Sequence, residues 1–96
     1  MSNREEYLEK LKAKLNEWDA DIDAMEAKGR EAQAEMQAQY HKQLEAMRTM
    51  RADAMKHYSE MQGAAAEAWE TMAQATEKSW KTWFDAFEQA RSKFKL

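Results

Sequence analysis

An all-α protein is expected from this 96-residue chain on three grounds. Its commonest residues, Ala, Glu, Gln, Lys and Met, are strong helix formers. It has no proline, and glycine occurs only at Gly29 and Gly63. Its apolar residues recur at helical intervals, whereas strand signals are missing: there is no valine, one isoleucine (Ile22) and no alternating run bounded by turn residues. With 34% charged residues the chain has the polarity of a disordered segment. The regular spacing of its apolar side chains argues for packed helix instead.

The first third reads in heptads. Leu8, Leu11, Leu15, Trp18, Ile22, Met25, Gly29, Ala32 and Met36 alternate three and four apart, the a/d seam of a left-handed coiled coil. Trp18 is bulky for a tight two-stranded seam, and Gly29 with Ala32 leaves it locally thin. The acidic pair Glu5 and Glu6 suits a helix start, and Ser2 with Glu5 has the form of a capping box.

After Met36 the register changes. Tyr40, Leu44 and Met47 follow at spacings of four, four and three, and from there eleven-residue steps dominate. One column runs Met25, Met36, Met47, Tyr58, Trp69, Trp80; a second runs Met50, Met61, Met72, Trp83, Phe94. Eleven residues over three turns favour a straight or slightly right-handed supercoil. Glu6–Lys10, Glu26–Arg30 and Glu77–Lys81 add favourable pairs one turn apart, and Arg91, Lys93 and Lys95 place positive charge at the end of the pattern.

These patterns define one helical coiled-coil unit over 1–96, with a coiled-coil segment 1–62 and an aromatic amphipathic segment 63–96. Both eleven-residue columns cross Gly63 in phase and the heptad seam crosses Gly29, which favours a single long helix assembling into an oligomer. The alternative is a helical hairpin with Gly63 as a left-handed C′ residue, bringing Met47 near Trp80 and Met50 near Thr76. A three-helix bundle turning at both glycines is a further arrangement. A lone rod cannot bury its stripe, and helices in water draw most of their stability from burying one face. Self-association is therefore expected, with Leu8, Leu11, Leu15, Trp18, Ile22, Met25, Met36, Leu44 and Met47 as the seam.

Composition excludes several function classes. Without cysteine there is no disulfide framework and no thiolate chemistry. A net charge of −3, with basic residues dispersed among acids, gives no general attraction to nucleic acid. No apolar run approaches the ~20 residues of a membrane span, and the charged start Arg4-Glu5-Glu6 is unlike a secretory signal, so a cytoplasmic location is expected. Catalysis is not expected either. His41 and His57 stand far apart along the helix, the serines lack an elbow motif, no phosphate-binding loop exists, and a rod offers no water-poor pocket. Neither a cofactor nor a small-molecule substrate is expected.

Two clusters carry alternative chemistry. Met47, Met50, His57 and Met61 combine soft thioethers with an imidazole, a set suited to Cu(I), although flexible methionines more often fill core gaps. Met55 lies off both columns. In the last third, Trp69, Met72, Thr76, Trp80, Trp83, Phe84, Phe87 and Phe94 share an arc of about 120°, an ordinary amphipathic width. With Lys78, Lys81, Arg91, Lys93 and Lys95 nearby, residues 69–94 have the make-up of a helix lying on a lipid or granule surface. The second half is also the electrically balanced one. Residues 1–48 carry 8 basic and 11 acidic side chains, and 49–96 carry 7 of each.

The segments Arg4-Glu5-Glu6-Tyr7-Leu8-Glu9-Lys10-Leu11-Lys12-Ala13-Lys14-Leu15-Asn16-Glu17-Trp18 and Tyr40-His41-Lys42-Gln43-Leu44 resemble a group of small bacterial coiled-coil proteins with a tryptophan-rich C-terminal helix. The tail, with Ala68-Trp69-Glu70, Trp80 and Phe84-Asp85-Ala86-Phe87, extends the resemblance. It implies a helical coiled-coil protein and brings no active-site residues with it. The methionine-rich middle departs from the group, where leucine, isoleucine or charged residues are usual. Together these readings point to a non-catalytic, self-associating structural or adaptor protein, with surface binding through 69–94 and copper binding as alternatives.

Overall fold

The computed structural model describes residues 3–95. They form three helices, α1 (Asn3–Glu31), α2 (Ala34–Gln62) and α3 (Ala66–Phe94), and no strand among the described residues. Each helix is 29 residues long, about 43 Å at 1.5 Å per residue. The whole measures 51 × 20 × 18 Å, so the helices lie side by side along their full length. α1 and α2 run antiparallel, as do α2 and α3. The pairs Asp19–Arg51 and Glu26–Arg48 tie the first two, and Tyr40 at the start of α2 meets Phe94 at the end of α3. The chain is therefore all-α, as its composition implies, and Ser2 of the capping box lies outside the described residues.

The single long helix is not formed. It breaks twice, once near each glycine, into an up-down-up bundle. The first break falls at Ala32 and Gln33 rather than at Gly29, which stays inside α1. A methyl group on Gly29 would sit 3.7 Å from Tyr40 Cβ, an ordinary contact. The second break begins at Gly63, but this glycine has φ −90° and ψ 0° and is not left-handed. The left-handed conformation expected there occurs instead at Lys95, with φ 57°. α3 also pairs with α2 about two turns away from the expected register. Thr76 meets His57 and Met61 rather than Met50, and Met50 shares a groove with Trp83.

The core explains why the chain folds back. Leu11, Leu15, Trp18, Ile22 and Met25 of α1 bury against Leu44, Met47, Ala54 and Met61 of α2 and Trp83, Phe87, Ala90 and Phe94 of α3. Both periodicities thus do mark core, but three helices of one chain cover one another. Such packing meets the need to hide the stripe without a second chain. One expected position departs from this, and one residue outside the pattern is exposed as well. Met36 is 39% exposed beside the first break, and Met55, off both columns, is 38% exposed.

Neither α2 nor α3 starts with a side-chain cap; Gln33 and Ala65 simply turn extended before each. The end of α2 is held from outside. Arg4 Nη2 donates to the carbonyls of Met61, Gln62 and Ala64 at 3.2, 3.3 and 2.8 Å. Its guanidinium also lies 4.8 Å from the Trp69 ring centre. A cation placed on the carbonyls of a helix end also meets the negative end of its dipole.

Leu15, buried to 2% exposure, gives a direct test of this core. Leu15→Ala is expected to lower unfolding stability by about 3 kcal/mol, while Met55→Ala stays within about 0.5 kcal/mol of wild type, both read from urea denaturation followed by circular dichroism.

Candidate functional site

The most distinctive surface of the bundle is the seam between α1 and α3. These two helices run parallel and their backbones approach each other least of the three pairs. Aromatic side chains fill the space. Trp18 stacks on Phe87 with ring centres 4.7 Å apart and planes 6° from parallel. The same indole meets Trp80, Trp83 and Phe84 at 6.3, 6.4 and 6.2 Å, the last two edge-on. About three turns nearer the start, Tyr7 touches Trp69 at 6.0 Å and Trp80 at 6.3 Å. Edge-to-face and offset pairs of this kind add stabilisation beyond their buried area.

This seam grades from dry to wet. Trp83 and Phe87 are buried, whereas Trp69, Trp80 and Phe84 are half-exposed along the outer edge. Lys14 places its ammonium 4.4 Å from the Phe84 ring centre. Tyr7, Lys10, Glu77, Trp80 and Lys81 line a shallow groove there. The Tyr7 hydroxyl is buried in it without a hydrogen-bond partner. Burial, with the nearby Glu77 carboxylate, pushes the phenol above its usual range.

Further along, Asp21 faces α3. Its side chain is only 13% exposed, one carboxylate oxygen has no partner, and Arg91 Nε stands 3.9 Å from the other. Arg91 is shared with Glu17 at 3.7 Å. Burial raises the Asp21 carboxyl above the usual carboxylate range, the Arg91 guanidinium lowers it less, and Glu17 and Glu88 add to the rise.

Between α2 and α3 lies a compact polar node. Thr76 is fully buried. Its Oγ1 lies 2.9 Å from the Met72 carbonyl, 3.1 Å from Met61 Sδ and 2.9 Å from His57 Nδ1. A hydroxyl has one proton to give and two lone pairs. With that proton donated to the carbonyl or the sulfur, its oxygen accepts from a protonated Nδ1. The His57 ring also meets Trp83 edge-on at 5.2 Å.

Of the proposed copper ligands, His57 and Met61 are brought together at the Thr76 hydroxyl, whereas Met47 is core elsewhere and Met50 edges a separate groove. Among the described residues no group of three or more His, Asp or Glu side chains is placed to hold a metal ion. Of the expected oligomer seam, Leu11, Leu15, Trp18, Ile22, Met25, Leu44 and Met47 are buried inside the bundle, Leu8 packs against it, and Met36 is exposed. Of the aromatic face, Trp83, Phe87 and Phe94 are buried, and Trp69, Met72 and Trp80 pack partly buried against them. Arg4, Tyr7 and Asp21 escaped the sequence reading as partners of α2 or α3. Asp21 sits beside Ile22 on the heptad, a position that a polar outer face would normally claim. Nothing near Arg4 points to carbonyls almost sixty residues away.

No family model, curated protein or solved structure matches this chain. No helix among the described residues is long and apolar enough to cross a membrane.

Because folding raises the Asp21 carboxyl, the folded chain holds this proton to higher pH than the unfolded chain does. That contribution favours folding at low pH and fades as pH rises from the ordinary carboxylate range through the raised value. Asp21→Asn should therefore be more stable than wild type at pH 7, with the difference shrinking toward pH 3, as measured by urea midpoints across that range.

Proposed function

We propose that this chain is a non-catalytic structural or adaptor module that works by association of helical surfaces, chiefly with copies of itself. One observation carries this reading. The hydrophobic columns stay in phase through the break at Gly63, so Met50, Met61, Met72, Trp83 and Phe94 keep their eleven-residue spacing from α2 into α3. A closed bundle has no use for that continuity, since a turn sets the orientation of each helix independently. A helix pairing over a longer span does use it, because its stripe must stay on one side. The long, thin bundle and its half-exposed aromatic edge supply surface rather than an enclosed pocket. The one fully buried polar side chain among the described residues, Thr76, has its hydroxyl engaged on three sides.

Sedimentation equilibrium tests the reading. The mass is expected to rise from the 11.3 kDa monomer to a multiple of it between micromolar and millimolar concentration. A constant monomer mass throughout would overturn it.

A second reading has its own support. α3 is the most amphipathic and most aromatic of the three helices, carrying three of the four tryptophans together with Lys78, Lys81, Arg91 and Lys93. Released from the bundle, it would suit a lipid or granule surface. Anionic vesicles should then shift tryptophan emission to the blue; unchanged emission at saturating lipid would eliminate this alternative.

A further inference from the structure

Three features of the α2–α3 connection converge on the manner of association. The first is the conformation of the turn. Gly63 has φ −90° and ψ 0°, close to helix, and Ala65 has φ −70° and ψ 160°. At Ala65 the φ angle already suits a helix, and ψ alone separates it from one. The connecting residues Gly63-Ala64-Ala65 contain no proline and no left-handed residue. The second is the phase of the apolar column, which runs from Met50 to Phe94 as though α2 and α3 were one helix. The third is Arg4. It donates to the carbonyls of Met61, Gln62 and Ala64, which in a continuous helix would take the backbone N–H groups of Ala65, Ala66 and Ala68 instead. Arg4 thus holds carbonyls that a continuous helix would occupy: those of Gln62 and Ala64, and that of Met61, which in the bent chain also takes the Ala64 N–H at 3.2 Å.

We propose that the chain forms a dimer by exchanging α3: the turn at 63–65 straightens, α2 and α3 fuse into one helix, and each α3 packs into the α1–α2 hairpin of a second copy. This inference deepens the self-association reading and rests on it. Exchange rebuilds between chains the contacts that α3 makes within one, including Trp18 on Phe87 and Thr76 on His57 and Met61. The monomer–dimer balance is then set by the turn, by Arg4 and by concentration, since the core is common to both forms. Arg4 is the closing device, and Gly63 is the residue that most weakens the fused helix.

The test is light scattering with small-angle X-ray scattering on the full chain, refolded at low and at high concentration. The exchanged dimer should span about 90 Å, the length of a helix over residues 34–94, against 51 Å for the monomer. Gly63→Ala, whose methyl would lie an unstrained 3.7 Å from the Ser59 carbonyl oxygen, should favour the dimer by about fivefold per chain, from glycine's helix penalty. Arg4→Ala should act in the same direction. Ala65→Pro keeps the φ found in the turn but cannot continue a helix, and should hold the chain monomeric. A three-glycine insertion after Ala64 serves the same purpose should that variant not fold. Compact dimers as abundant in Ala65→Pro or in the insertion variant as in wild type would overturn the exchange while leaving self-association intact. Monomers only, in every variant and at every concentration, would overturn both.

Discussion

The stack of Trp18 on Phe87 is the contact on which the arrangement of the three helices depends. α1 and α3 run parallel, and no turn joins them directly, so nothing in the connectivity fixes their separation. The indole of Trp18 does so. It lies flat on Phe87 and presents its remaining edges to Trp80, Trp83 and Phe84. Leucine and isoleucine at that place would let the helices close by ångströms and crowd Leu11 and Leu15 beneath. A tryptophan too bulky for a two-stranded seam is thus suited to a three-stranded one, where the hole to be filled is larger. The polar margin of the seam follows from the same spacing. Tyr7 and Asp21 come under the edge of α3 far enough to lose water, but not far enough to meet a full set of partners.

The helix ends show how economical the connections are. Neither break carries a side-chain cap, and neither uses a left-handed glycine. The first turn is closed by backbone hydrogen bonds and by Gln37 Nε2 donating to the Ala32 carbonyl. The second borrows the Arg4 guanidinium from the start of α1. The ion pairs of the outer faces, such as Arg48 with Glu26 and Glu45, are exposed enough to contribute little each. Folding therefore rests on apolar burial, and the turns impose a modest local preference.

Much of the interior was legible in the sequence because burial in a helix leaves a periodic trace. Every heptad position from Leu11 to Met25 lies inside, as do Met61, Trp83 and Phe94 of the second column, with Met50 and Met72 partly buried against them. Periodicity reports which face is covered and is silent on what covers it. The same stripe fits a partner chain or a neighbouring helix, and an in-phase pattern gives no sign of a bend. The breaks were obscured for that reason: Gln33 and Ala65 are good helix residues that turn extended only because the core is better closed by folding back. Arg4, Tyr7 and Asp21 were illegible as contacts, since each depends on a register between helices that no local spacing encodes. Thr76 was visible on the aromatic arc, but its hydroxyl partners were not.

The buried hydroxyl of Thr76 has a consequence for how α3 seats itself. A ladder of large apolar groups repeated at equal steps is nearly indifferent to sliding by one step, much as a ratchet strip fits its pawl at any tooth. Methionine, able to fill uneven gaps, makes the mismatch cheaper still. A polar atom sealed among sulfur, imidazole and carbonyl is not indifferent: shifted along the axis, Thr76 would carry its bond to the Met72 carbonyl with it but lose Met61 and His57 across the helix interface, leaving a polar ring nitrogen without its partner. One threonine therefore works as a detent in an otherwise smooth track, selecting a single seating of α3 among several of similar greasiness.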